Sequence, residues 1–154
     1  MRAKFVNEIG EATVKPVPFE YIGEFGKTDK QFGDKGYEYT FETLNEKYIG
    51  LFIIREKFTE YHFYAEGKKT DAIINRGDLY TVMSTNIEII KDFLSKRETK
   101  KLLIFSGEGK GNKRSNLYLK FVEKNIPDNY EYKILKNHEG IWGILLDKKE
   151  LENF

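Results

Sequence analysis

The segment "DLYTVMSTNIEIIKDFLSKR", Asp78 to Arg97, is where the hydrophobic period of the chain changes. Before it, apolar residues alternate with polar ones; within it, they begin to recur every three or four positions. The spacing predicts a strand over 78–83 and a helix from Thr85 to about Arg97. Thr85-Asn86-Ile87-Glu88 has the form of a capping box, in which two side chains each satisfy the other's free backbone N–H. Ile87, Ile90 and Leu94 would then share one helix face, with Ile89 and Phe93 beside it.

Upstream, "YEYTFETL" (37–44), "KYIGLFIIREK" (47–57) and "EYHFYAEGK" (60–68) read as strands of an antiparallel meander. Residues 13–36 read as an exposed loop, because Pro16, Pro18 and the glycines of "GEFGKTDKQFGDKG" interrupt any pattern. Residues 1–12 carry at most a short helical turn through Phe5, Val6 and Ile9. Downstream, "KLLIFSG" (101–107) reads as a short buried strand. A second helix runs from Lys113 to Asn125, with Leu117, Tyr118, Phe121 and Val122 inward, and Pro127 stops it. "YEYKILK" (130–136) and "IWGILL" (141–146) form a hairpin about "NHEG".

The expected order is β-β-β-β-α-β-α-β-β. It predicts a single α+β domain over 37–154 behind an N-terminal extension, 1–36. Its sheet would be mixed, mostly antiparallel and covered by two helices, with two strand–helix–strand crossovers making part of it parallel.

The totals agree with one domain. The chain has 154 residues, 40% of them hydrophobic and 15% aromatic, enough for one packed core. It has no cysteine, which excludes disulfides, thiolate nucleophiles and thiolate metal sites. Its two histidines, His62 and His138, show no metal-ligand spacing, so no metal is expected. No apolar run has the length of a membrane span, and the first residues lack a signal-peptide core, so the expected location is cytoplasmic. The net charge of +1 conceals a basic band from Lys91 to Lys124, with ten bases and four acids. Such a band suggests an anionic partner, nucleic acid included. The helix aromatics, however, fall at core spacing and the bases at surface spacing.

"LLIFSGEGKGNKRSNLY", Leu102 to Tyr118, joins a strand to a helix through Gly107, Gly109 and Gly111. Such loops can cradle phosphates. This one lacks the Gly-Lys-Ser/Thr ending of a Walker loop, and Asn112 stands where a dinucleotide fingerprint needs glycine. Its glycines read better as a flexible connection. The candidate anion-binding residues are Ser106 at the strand end, Lys113 and Arg114 at the helix start, and Thr85 at the first helix. Tyr118 is a candidate general acid and Glu60 a candidate base. Their bland readings are a core aromatic and a charged strand end. His62 reads as an ordinary strand histidine.

Two resemblances add to this. The element order, with "LLIFS" and "NKRSNLYLKFVEKNIPDNYEYKI" inside it, resembles the second half of the GNAT acyltransferase superfamily. That implies acetyl-CoA as cofactor, with Tyr118 as acid and Glu60 as base. The superfamily's glycine-rich CoA loop precedes the first of these helices; here that place falls on Met83-Ser84-Thr85-Asn86, a degenerate loop without glycine. Separately, "GDLYTVMSTNIEIIKDFL", "IFS" and "RSNLYLKF" are similar to an uncharacterised group of small tailed-bacteriophage proteins. The shared residues are Gly77, Asp78, Thr85, Ile104, Phe105, Ser106, Arg114, Leu117 and Tyr118. This resemblance implies a phage accessory protein in the cytoplasm of the infected bacterial host, or in the virion. It would need no cofactor and would bind a host or virion protein or a small anionic ligand. A divergent acyl-CoA-dependent N-acyltransferase is the alternative, and a nucleic-acid-binding protein the second. The sequence leaves open whether it is an enzyme, and its oligomeric state.

Overall fold

The computed structural model describes residues 16–26, 35–44, 46–66, 79–105, 113–138 and 140–150, with backbone alone over 113–118. Seven strands form one sheet: β1 (Phe19–Phe25), β2 (Gly36–Glu42), β3 (Lys47–Ile54), β4 (Thr59–Ala65), β5 (Lys101–Phe105), β6 (Tyr130–Asn137) and β7 (Gly140–Lys148). Two helices accompany it, α1 (Leu79–Lys96) and α2 (Lys113–Asn125). The strands lie side by side in the order β1-β2-β3-β4-β5-β7-β6. This is a single α+β domain with a mixed sheet.

Alternation in the sequence decides which residues meet the helices. Tyr37, Tyr39 and Phe41 lie opposite Phe52, Gly50 and Tyr48. Those continue to Tyr61, Phe63 and Ala65, and the row passes on to Leu102 and Ile104 and to Leu146 and Ile144. Opposed residues share a face. This face joins Val82, Met83, Ile89, Ile90 and Phe93 of α1 and Phe121 and Val122 of α2 in one core. At its centre the Phe93 ring stacks on Phe52, 3.8 Å between centroids. Each such buried side chain contributes about 1.5–3 kcal/mol.

The expected strand over 78–83 is instead the first turn and a half of α1, which begins at Leu79. Leu79, Thr81 and Met83 are spaced by two, but the backbone is helical from Leu79 onward; Val82, Met83, Ile89, Ile90 and Phe93 join the core, and Ser84 to Ile87 are buried as well. Thr85 is therefore not a cap. It is wholly buried mid-helix, and its hydroxyl donates to the Thr81 carbonyl oxygen at 2.7 Å. The Thr85 hydroxyl oxygen itself accepts the Val17 N–H at 3.0 Å, tying the segment before β1 to the helix.

Residues 19–25, expected within an exposed loop, form β1. It pairs antiparallel with β2, from Phe19 opposite Phe41 to Phe25 opposite Gly36. Pro16 and Pro18 precede the strand and cost it no ladder bond. Ile22 is an extra residue in the pairing, and Gly23 beside it has φ +148°, a backbone that glycine alone adopts readily. The expected boundary at residue 36 therefore cuts across the sheet. The turn predicted over 1–12 and the glycines at 107, 109 and 111 lie outside the described residues.

One crossover gives the expected parallel pair: β4 and β5 run together, joined through α1. The other does not. β7 inserts between β5 and β6 and is antiparallel to both, so β5 and β6 run the same way without touching. Among the described residues, no helix is long and apolar enough to cross a membrane.

Candidate functional site

β4 and β5 are hydrogen-bonded over only three residue pairs, Thr59 with Leu102, Glu60 with Leu103 and Tyr61 with Ile104. β4 continues to Ala65; among the described residues, which end at Phe105 on this side, the ladder runs as far as Tyr61 and Ile104. On the sheet face opposite the helices, the residues at this junction are Glu60 and His62 of β4 and Leu103 and Phe105 of β5.

Glu60 is the organising group. It accepts a hydrogen bond from Arg55 Nε at 3.1 Å and lies 2.9 Å from His62 Nε2. Arg55 is set by the β3–β4 turn, where its N–H donates to the Phe58 carbonyl oxygen at 2.8 Å. Burial pushes the Glu60 carboxyl up, but the hydrogen bonds from His62 and Arg55, with their charges, outweigh it and hold the group below its ordinary value. A carboxyl so held is a weak base. In a neutral imidazole with its proton on Nε2 directed at Glu60, Nδ1 carries the lone pair.

His62 also stacks on Phe105, with ring centroids 4.5 Å apart and planes within 16°. Phe105 in turn meets Trp142, 5.9 Å away. Trp142 is there because of a register shift. Leu135 pairs with Gly143 and Lys136 with Ile141, so Trp142 is an extra residue in β7. A polar row, Arg55–Glu60–His62, thus continues into an aromatic one, His62–Phe105–Trp142, at the carboxyl end of the described β4–β5 ladder.

Of the candidate catalytic and anion-binding residues named from sequence, Glu60 is the one that the described residues place in this group; Phe105, shared with the phage group, lies in it too. Glu60 stands as partner of His62, where the sequence suggested a base. Thr85 is buried and its oxygen is used within the protein, so it is withdrawn as an anion-binding residue. Lys113, Arg114 and Tyr118 lie in α2, but their side chains are outside the described residues, as is Ser106. His62 is the residue that sequence reasoning passed over. The signal was Glu-x-His within an alternating strand, which places both side chains on one face.

The degenerate glycine loop expected at 83–86 lies inside α1. The connection from β4 to α1 spans 66–78; residues 67–78 are outside the described set, and their sequence "GKKTDAIINRGD" carries Gly67 and Gly77 with Lys68, Lys69 and Arg76. In the basic band, Lys91, Lys96 and Lys101 lie beside Glu88, Asp92 and Asp147 at 3.5, 3.0 and 3.2 Å, and part of its charge is thereby offset. Among the described residues, no three potential ligands are grouped to hold a metal ion. No protein-family model, curated protein or solved structure matches the chain.

Proposed function

We propose that this is a phage accessory protein that uses a GNAT-like scaffold to bind a small anionic ligand at the carboxyl end of the β4–β5 ladder. The observation that carries the reading is the Arg55–Glu60–His62 row, which meets Phe105 and Trp142 at the carboxyl end of the described β4–β5 ladder. Ligands of sheets with parallel strands bind outside the carboxyl ends, where neighbouring strands separate. The sequence of the connection that follows β4 holds Lys68, Lys69 and Arg76, groups able to meet an anion, beside as many acids, Glu66, Asp71 and Asp78. The phage origin rests on the sequence resemblance around α1, β5 and α2.

The test is thermal unfolding with millimolar coenzyme A, acetyl-CoA, ADP or pyrophosphate. A bound ligand at about 100 times its Kd stabilises the fold by about 2.7 kcal/mol, which moves the midpoint by several degrees. A midpoint unmoved by all four overturns the reading.

The Glu60–His62 pair favours a second reading, divergent acyl transfer. His62 Nδ1 would take the proton of an amine as its nitrogen attacks the thioester carbonyl, and Glu60 would steady the imidazolium. The C–S bond would break, and Tyr118 would supply a proton to the departing thiolate. Release of free thiol from acetyl-CoA in the presence of a primary amine, lost in His62→Ala, would support it. Binding without thiol release would leave the first reading standing and remove the second.

A further inference from the structure

Among the described residues, β6 forms one edge of the sheet. An edge strand offers a row of backbone donors and acceptors to another chain. The other edge, β1, is interrupted after Tyr21 by its extra residue, whereas β6 pairs regularly from Tyr130 to Leu135. Tyr132 and Ile134 are 38% and 36% exposed on the helix-bearing face of β6. Glu131 and Lys133 are exposed on the other face, and neither is in an ion pair among the described residues. The Tyr132 hydroxyl donates to Glu123 Oε2 of α2 at 2.6 Å, which fixes the ring at the middle of this surface.

We propose that β6 pairs antiparallel with β6 of a second copy about a two-fold axis through Tyr132. The charges select this occupant and this register. Antiparallel pairing about a two-fold axis perpendicular to the sheet sets each residue opposite one of the same face. Centred on Tyr132, it places Glu131 opposite Lys133 of the second copy, and Lys133 opposite Glu131, two opposite-charge pairs. Centred one residue earlier, the pairing sets glutamate on glutamate; one residue later, lysine on lysine. Centred on Ile134, it sets Lys133 against Leu135. A lysine alone on an edge repels a second copy. With a glutamate two positions before it, the edge becomes complementary to itself.

The experiment is sedimentation equilibrium of the whole chain at low salt, with circular dichroism to confirm that each variant folds. The wild type should dimerise, and salt should weaken the dimer. Lys133→Glu and Glu131→Lys each create two like-charge pairs and should raise the dimer Kd about tenfold or more. The double variant E131K/K133E restores both pairs with their signs exchanged and should recover the wild-type constant. Lys133→Gln, which only removes attraction, should fall between. A wild type that stays monomeric at high micromolar concentration overturns the proposal. So do single variants that dimerise like the wild type, or a double variant no better than the singles.

Discussion

Gly50 lies beneath Tyr61, so close that a β-carbon at position 50 would overlap the phenol oxygen and stand 3.1 Å from the ring carbon that bears it. The hydroxyl passes over β3 and donates to Asn86 Oδ1 on α1, while Asn86 Nδ2 donates to the Val82 carbonyl oxygen at 2.8 Å. Both residues are wholly buried. A missing side chain on one strand thus lets its neighbour's tyrosine tie the sheet to the helix.

Gly50→Ala should destabilise the fold by about 1–3 kcal/mol, the usual effect of overfilling a packed core. Tyr61→Phe should cost about 1–3 kcal/mol by removing a buried donor from Asn86. The two changes act on one contact. Together they should cost less than their sum. Urea unfolding of the four proteins measures this; strict additivity would show that Gly50 does not serve the tyrosine.

Thr85→Val should cost about 1 kcal/mol, because the Val17 N–H loses its acceptor and the residues before β1 lose their tie to α1. Glu88→Ala should change stability by less than about 0.5 kcal/mol, since Glu88 is about 40% exposed in mid-helix and, among the described residues, pairs with Lys91 alone. A true capping box would make Glu88 matter as well. Thermal unfolding of both variants separates the two arrangements.

Glu60→Gln tests the His62 pairing through pH. The folded carboxylate titrates below the ordinary 4.5. A group with a depressed folded pKa contributes stability that is present above the unfolded value and is lost as pH falls through the folded one. The stability difference between wild type and Glu60→Gln should therefore be constant near neutrality and shrink below pH 4.5. A difference that is unchanged across the acid range would mean that the carboxylate is not held by its neighbours.

Arg97, just past the end of α1, lies over Tyr37 with its guanidinium 4.0 Å from the ring centre, and 5.4 and 5.3 Å from the rings of Tyr21 and Phe93. It joins β1, β2 and the helix. Arg97→Ala should cost about 1–2 kcal/mol, and Arg97→Lys should recover less than half of that, because an ammonium lacks the flat face that stacks. Chemical denaturation of both variants provides the comparison.

The sequence displayed β2 and β4 plainly because aromatic residues alternate with polar ones along them, and β3 because Tyr48 to Ile54 is an almost unbroken apolar run. α2 was legible too, since Phe121 and Val122 recur at helical spacing before Pro127. α1 was misread at its start. Leu79-Tyr80-Thr81-Val82-Met83 satisfies both periods, and only the core beyond it decides between them. β1 was hidden by prolines and glycines that border or bulge the strand without breaking it. In the site, Glu60 was visible as a titratable strand residue. Arg55 comes from a turn, Phe105 from β5 and Trp142 from a bulge, and their meeting depends on strand order, which local spacing does not encode.

The insertion of β7 between β5 and β6 has a consequence for the order of assembly. During synthesis β6 appears before the strand that places it, and β5 exposes an open edge until residues 140–148 emerge. Neither can complete its backbone pairing earlier, since neither touches the other. The aromatic meander and α1 can collapse first, but this side of the molecule closes in one late, long-range step. That interval is when a chaperone, or another unfinished chain, would meet an unsatisfied strand.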